Sequence, residues 1–309
     1  MQLQVALAQA MAVLEKAGVE EPRLDAKVLL THALGMTGAQ LFTHPRRQLS
    51  STELTDYRQL IERRAQREPL AYIVGHKEFY GLDFFVDTRV LIPRPETELL
   101  VEKAIEISQR QSVIADVGTG SGAIAVSLAV HLPQALIYAT DVSSAALEVA
   151  ARNCRRHGVQ DRVHLLQGRL LEPLPGPVDL IVANLPYVSE VEWAQLPPEI
   201  RCYEPREALY GGPDGLDHIR RLLAQARGYL KPGGSILLEI GATQGEAVVA
   251  LTRRHFPTAE AEIIKDYAGL DRVVMVSRGA RGQGAEEQGS KGARVNGVGA
   301  HAFQLEVVG

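Results

Sequence analysis

The chain has 309 residues, 46% of them hydrophobic, a formal net charge of -4 and a pI near 6.2. That is enough apolar material for a substantial core and more than one domain, and the acid-leaning balance argues against electrostatic clamping of long nucleic acid. No apolar run is long enough to span a membrane, and no charged segment precedes an apolar one at the start.

Cys154 and Cys202 stand far apart with no CxxC, and the nine histidines show no paired ligand spacing. The expectation is two reduced thiols, no metal site and a cytoplasmic monomer.

Residues 3–68 read as helical. Leu3, Leu7, Met11 and Leu14 recur at helical spacing, and a second helix carrying Leu24, Val28, Leu29 and Leu34 begins near Pro22. Ser50 and Glu53 form a capping box ahead of a third helix with Leu54, Tyr57, Leu60 and Ile61. Pro69 is expected to stop it. The pattern then turns β-rich: Phe79-Tyr80, Phe84-Phe85-Val86 and Val90-Leu91-Ile92 around Gly75 and Gly81, a hairpin between two domains. Pro95 suits the first turn of a helix containing Leu99, Leu100, Val101 and Ile105.

Strands and helices alternate from there. The expected strands are 113–117, 136–140, 162–166, 178–183, 235–240, 262–265 and 272–276, with helices over 123–131, 145–157, 216–230 and 245–256. Such alternation makes an α/β fold, a mainly parallel sheet covered on both faces. The last two strands are joined by a connection too short for a crossover helix, so they should pair antiparallel. From residue 279 to 309 the sequence is rich in Gly, Ala, Arg, Gln and Glu without apolar periodicity, which predicts a disordered tail.

Two loops carry chemistry. Asp116-Val117-Gly118-Thr119-Gly120-Ser121-Gly122 joins a strand to a helix, where open α/β sheets bind ligands. It lacks the Lys of a triphosphate loop. Asp141 ends the next strand, about 20 residues on, where a carboxylate accepts ribose hydroxyls. It could instead cap the helix near Ser143 and Ser144. A nicotinamide-dependent dehydrogenase fits this much equally well.

The second loop is Asn184-Leu185-Pro186-Tyr187, after Val178–Ala183. Asn184 supplies a carbonyl acceptor, Leu185 a backbone carbonyl and Tyr187 an aromatic wall, and Pro186 holds Leu185 extended. Two acceptors gripping the hydrogens of a planar NH2 group would aim its lone pair at an electrophilic methyl carbon, without a strong general base.

Together with further motifs, these residues resemble the release-factor glutamine methyltransferases, the PrmC/HemK family. The motifs are Arg67–Gly75, Glu78–Leu82, Leu91-Ile92-Pro93-Arg94-Pro95-Glu96-Thr97-Glu98, Tyr203–Arg206, Gly211–Leu216 and Lys231–Gly234, and the likeness runs from about residue 5 to 278. The resemblance implies a helical substrate-recognition domain over 1–72, a β-hairpin linker over 73–92, and a seven-stranded class I methyltransferase domain over 93–278. It implies methyl transfer from S-adenosylmethionine to the glutamine of the Gly-Gly-Gln motif in bacterial class I peptide chain release factors. By position, Gly118, Thr119, Gly120, Ser121, Gly122, Asp141, Arg169 and Asn184 would meet the cofactor, and Asn184, Leu185, Pro186 and Tyr187 the glutamine.

Two departures stand out. Leu185 replaces the first proline of the family's Asn-Pro-Pro-Tyr, which keeps the carbonyl but adds an N–H that needs a partner or water. Arg169 lies in the adenine-side loop where relatives carry Asp or a neighbouring Trp; it could stack on the ring or be a solvated surface side chain. These departures leave room for a non-catalytic release-factor binder. A methyltransferase for exocyclic amines of nucleic acids is a further alternative, since a flipped base also presents an NH2 group.

Overall fold

Local chemistry starts the N-terminal helices, and their apolar stripes then bury one another. The computed structural model describes residues 1–279; the expected tail, beyond its first residue, lies outside the described residues. Helices α1 (Leu3–Lys16), α2 (Pro22–Leu34), α3 (Gly38–Thr43), α4 (Ser51–Ala65) and α5 (Leu70–Val74) make the helical domain. Reciprocal capping boxes open α3 (Thr37 with Gln40) and α4 (Ser50 with Glu53). Leu14, Leu29, Leu30 and Tyr57 are fully buried between them, and the Tyr57 hydroxyl donates to the Ala26 carbonyl at 2.9 Å.

The sequence pattern did not separate α3 or α5, which are too short to display a period. Pro69 is also not the stop of α4. The helix ends at Ala65 and Pro69 opens α5 instead, after Arg67 has turned the chain with φ of 70°.

Strands β1 (His76–Phe79) and β2 (Leu82–Phe85) pair antiparallel as the hairpin. Asn153, wholly buried, fastens it to the core: its side chain accepts from Phe85 N at 2.8 Å and donates to Phe85 O and Ser121 O. Val90-Leu91-Ile92, expected to be part of this β region, is a loop. Its polar backbone is satisfied from outside any sheet, Val90 O by the Tyr72 hydroxyl and Ile92 N by Glu204.

A 3-10 turn (Pro95–Thr97) leads into α6 (Glu98–Ile107). The α/β unit follows with β3 (Val113–Val117), α7 (Ala123–His131), β4 (Leu136–Asp141), α8 (Ser144–Arg156), β5 (Val163–Gln167) and β6 (Val178–Ala183). An insert carries the short helices α9 (Glu190–Trp193) and α10 (Pro198–Tyr203); then come α11 (Asp217–Tyr229), β7 (Leu230–Glu239), α12 (Gly245–His255), β8 (Glu260–Lys265) and β9 (Asp271–Ser277).

The seven-stranded sheet has the order β5-β4-β3-β6-β7-β9-β8. The first five pair in parallel, and β9 pairs antiparallel with both β7 and β8. Apolar cores lie on both faces, one with Leu100, Ile124 and Leu128, the other with Leu222, Leu223 and Val248. Covered on both sides, β3 and β6 are nearly continuous apolar runs, the signature of buried parallel strands.

Candidate active site

From β3 the chain builds outward through β4 and β5, then returns to the other side of β3 to lay down β6 and β7. The carboxyl ends of β3 and β6 therefore flank a topological switch point, where the two outgoing loops diverge and leave a crevice. Val117 pairs with Ala183, so Gly118 and Asn184 leave the sheet side by side. A cavity of about 590 Å³ opens there, bordered by Gly118, Gly120, Asp141, Arg169, Asn184 and Pro186 among others.

The glycine loop divides into a face and a support. Gly118 and Gly120 border the cavity with φ of 78° and 54°, values that favour residues without a Cβ, so bare backbone is offered to a ligand. Thr119, Ser121 and Gly122 face the protein. The Thr119 hydroxyl donates to Asp116 Oδ2 at 2.6 Å, Ser121 O accepts from Asn153, and Gly122 packs against Ala150 at the start of α7. Asp116 is completely buried, with Oδ1 lacking a partner. Burial pushes its carboxyl up to about 7, against the hydrogen bonds from Thr119 and Ala125 N.

Asp141 ends β4 and borders the same cavity. Oδ2 accepts from Gly120 N and Oδ1 from Ser143 N, both at 2.9 Å. Each oxygen keeps a free lone pair. The cap of α8 is Ser143, whose hydroxyl accepts from Ala146 N, so Asp141 braces the turn without being the cap itself. Next to it Val142, an apolar side chain 60% exposed, lines the cavity and offers a flat aromatic ligand an apolar surface.

In the second loop, Asn184 donates from Nδ2 to the Thr97 hydroxyl at 3.1 Å. Its carbonyl oxygen is the amide atom left for an incoming donor. The Leu185 carbonyl accepts no hydrogen bond within the described residues, and the Leu185 side chain packs over Gly118. Its N–H also finds no protein partner there.

Rigidity comes instead from downstream. Tyr187 O accepts from Gln244 Nε2 at 3.0 Å, while Val188 exchanges backbone hydrogen bonds with Leu209 and Gly211. A Cβ on Gly215 would fall 2.1 Å from Tyr187 O, so only glycine lets the two backbones meet.

Tyr187 does not border the cavity. Its ring turns inward and its hydroxyl donates to Glu239 Oε1 at 3.3 Å, and burial raises its pKa. Glu239, at the end of β7, is 1% exposed with Oε2 lacking a hydrogen-bond partner.

The rim is cationic. Arg169, Arg206 and Arg221 border the opening beside Glu207 and His218, and burial, with Arg221 adding to it, lowers the His218 pKa and favours its neutral form. Arg206 stacks 4.7 Å from the Tyr210 ring. Arg169 is exposed and forms no ion pair within the described residues.

Residues 5–75 match the PrmC N-terminal domain and residues 95–196 the methyltransferase small domain. The release factor glutamine methyltransferase of Moorella thermoacetica is 48% identical over 90% of this chain and 99% of that protein. The chain belongs to the release factor glutamine methyltransferase family. The family protein of Geobacter sulfurreducens is 44% identical over 84% of this chain and 91% of its own length. A solved methyltransferase from Pyrococcus furiosus, 22% identical, superposes with a TM-score of 0.51 over 71% of this chain and 98% of that one, which speaks for the fold alone.

Members of this family are S-adenosylmethionine-dependent, and the residues present fit that cofactor: bare glycine backbone, a carboxylate with spare acceptor capacity, and an apolar neighbour in Val142. Sequence reasoning missed Val142, Thr97 and Glu239. Val142 could have been found as an apolar residue directly after the strand-ending Asp141; Thr97 lies in the Leu91–Glu98 motif without a role assigned to it, and nothing local marks Glu239.

Proposed function

We propose that this chain methylates the side-chain amide nitrogen of the glutamine in the Gly-Gly-Gln motif of bacterial class I release factors, acting as a cytoplasmic monomer. One observation carries the reading. In a chain of this family, Asn184 and Leu185 border the cavity beside the glycine loop at the switch point, and neither Asn184 Oδ1 nor the Leu185 carbonyl accepts a hydrogen bond within the described residues. S-adenosylmethionine, when bound against Gly118, Gly120 and Asp141, supplies an electrophilic methyl group.

The chain's own residues do the rest. An amide nitrogen is a weak nucleophile because its lone pair is delocalised into the carbonyl. Asn184 Oδ1 and Leu185 O take its two hydrogens, hold it out of conjugation and orient the lone pair toward the methyl group. The nitrogen–carbon bond forms as the sulfur–carbon bond breaks, and the surplus amide proton leaves to water. The helical domain (residues 1–72) serves to grip the release factor.

With labelled S-adenosylmethionine and a full-length release factor, label should appear on the Gly-Gly-Gln peptide and nowhere on a variant whose glutamine is alanine. An unlabelled peptide would remove the proposal. Asp141→Ala should weaken cofactor binding by roughly 10- to 100-fold, the worth of a hydrogen bond to a charged group, and reduce turnover at saturating cofactor far less. Titration calorimetry decides. Unchanged affinity would reassign Asp141 to bracing the Gly120 turn.

A further inference from the structure

The loop Asn184–Tyr187 runs directly into an insert, and the insert returns beside it. Val188 and Tyr210 form a parallel bridge that closes its base, so residues 189–210 stand at the mouth of the cavity. The insert is anchored along its length as well. Glu204, its side chain 1% exposed, accepts from Ile92 N and pairs with Arg94, and the Tyr203 hydroxyl donates to Gln66 O at 2.7 Å. An element held at so many points offers its outer side chains to a partner already in place.

One of these side chains is Arg206. Its guanidinium carbon lies 4.7 Å from the centre of the Tyr210 ring and 5.2 Å from that of Trp193, and the two rings meet edge to face with centroids 6.4 Å apart. Among the described residues Arg206 has no carboxylate partner. Glu190 accepts the Tyr210 hydroxyl at 2.6 Å instead, and Glu207 borders the same opening without pairing with Arg206. Arg169 and Arg221 border the opening too, both exposed and neither in an ion pair among the described residues, whereas Arg89 at the same rim pairs with Asp87 and Glu148.

Arg169, Arg206 and Arg221 thus gather uncompensated positive charge at one mouth, in a chain whose net charge is -4. Such a cluster at a ligand entrance is the complement of an anionic partner. A guanidinium stacked on aromatic rings keeps its N–H groups in one plane at its edge, the fork that takes a carboxylate with two hydrogen bonds. In the proposed reaction the cavity receives a glutamine side chain, so what crosses its mouth is the polypeptide on either side of that glutamine.

We propose that Arg206, held by Tyr210 and Trp193 and supported by Arg221, docks a carboxylate that the release factor carries beside its glutamine. The assignment rests on the proposed glutamine methylation and adds a specificity determinant to it. The partner is selected by a charge next to the reacting amide as well as by the amide itself.

The experiment uses the full chain and a full-length release factor. Label transfer is followed at low and moderate ionic strength. Affinity for a release factor whose glutamine is alanine is measured by calorimetry, which needs no turnover. Arg206→Gln should raise KM and weaken that affinity by about 10-fold, the loss of a hydrogen bond to a charged group, with kcat and cofactor affinity little changed. Arg206→Lys keeps the charge without the fork and should recover only part of the loss. Wild-type KM should rise with salt, more steeply than that of Arg206→Gln. Arg253→Gln, the same charge change on an exposed residue of α12 that does not border the cavity, should leave KM as it is. Acidic residues of the release factor nearest the glutamine, replaced one at a time by their amides, should include one whose effect is not additive with Arg206→Gln.

The inference is overturned if Arg206→Gln, shown to be folded by thermal unfolding, keeps wild-type KM and salt dependence, if it weakens cofactor binding instead, or if no acidic residue of the release factor couples to it. A single-stranded RNA oligonucleotide that displaces the release factor from wild type and not from Arg206→Gln would give the platform to a phosphate backbone and overturn it equally. A wild-type enzyme that leaves the release factor unlabelled would sink the functional reading itself; an active wild type indifferent to Arg206 would sink only this docking contact.

Discussion

Asn184→Ala lowers kcat by about 100- to 1000-fold, a loss of roughly 3–4 kcal/mol of transition-state stabilisation, and leaves cofactor affinity nearly unchanged. The size follows from what the residue is asked to do. Lone-pair availability on an amide nitrogen is gained only by holding both hydrogens, and alanine removes one of the two acceptors. The other, Leu185 O, belongs to the backbone and survives. Thr97 loses the donor of one neutral hydrogen bond, worth about 1 kcal/mol, so folding should change little. Single-turnover rates at saturating cofactor, with calorimetry alongside, separate this outcome from loss of binding. Equal losses in affinity and turnover would mean that Asn184 holds the cofactor, with the substrate amide held elsewhere.

How far the sequence revealed this site depended on how local each signal was. Val113–Val117 and Val178–Ala183 are legible because a strand buried on both faces is a nearly continuous apolar run, broken here only by Asp116 and Asp179, and the chemistry-bearing residues follow directly at its end. That the two strands are neighbours is a matter of crossover topology, which no local pattern encodes; the resemblance to a known family supplied it. The apolar triplet Val90-Leu91-Ile92 misled for a related reason. Val90 and Ile92 are buried like strand residues, but their backbone partners are Tyr72 and Glu204, remote in sequence.

The Leu185 departure looks different in three dimensions. The stiffness expected from a proline is supplied by Gln244, Leu209, Gly211 and Gly215, all reaching the loop from downstream. Thr97 and Glu239 were invisible because each is tied to the substrate loop by a hydrogen bond from a residue remote in sequence, Thr97 from Asn184 and Glu239 from Tyr187.

The same limit applies to what joins the helical domain to the methyltransferase domain, and here the expected effect is on stability. Arg64 lies on α4 with its side chain 8% exposed, donating from Nε to Asp25 at 2.6 Å and from its terminal nitrogens to Glu199 on α10 at 3.2 Å. Arg67 grips the same Glu199 at 2.5 Å from a backbone with φ of 70°, a conformation uncommon for arginine and repaid by this contact.

Arg64→Ala should destabilise the protein by about 3–5 kcal/mol, because it strands Asp25 as an uncompensated buried charge. Removing both charges, with Asp25→Leu and Arg64→Met together, should recover much of that loss, since a buried pair contributes little beyond its own desolvation cost. Glu199→Gln leaves Asp25 paired and should cost far less in stability. It should instead loosen α10, which leads through the buried Glu204 and its partner Arg94 to the cavity wall at Pro205 and Arg206, and so raise KM for the release factor more than it lowers kcat. Urea unfolding of the single and double variants measures the first effect, and steady-state kinetics the second. A single-variant loss below about 1 kcal/mol, the range of an exposed pair, would show that Asp25 finds water when Arg64 is gone and that the domains are held by apolar packing.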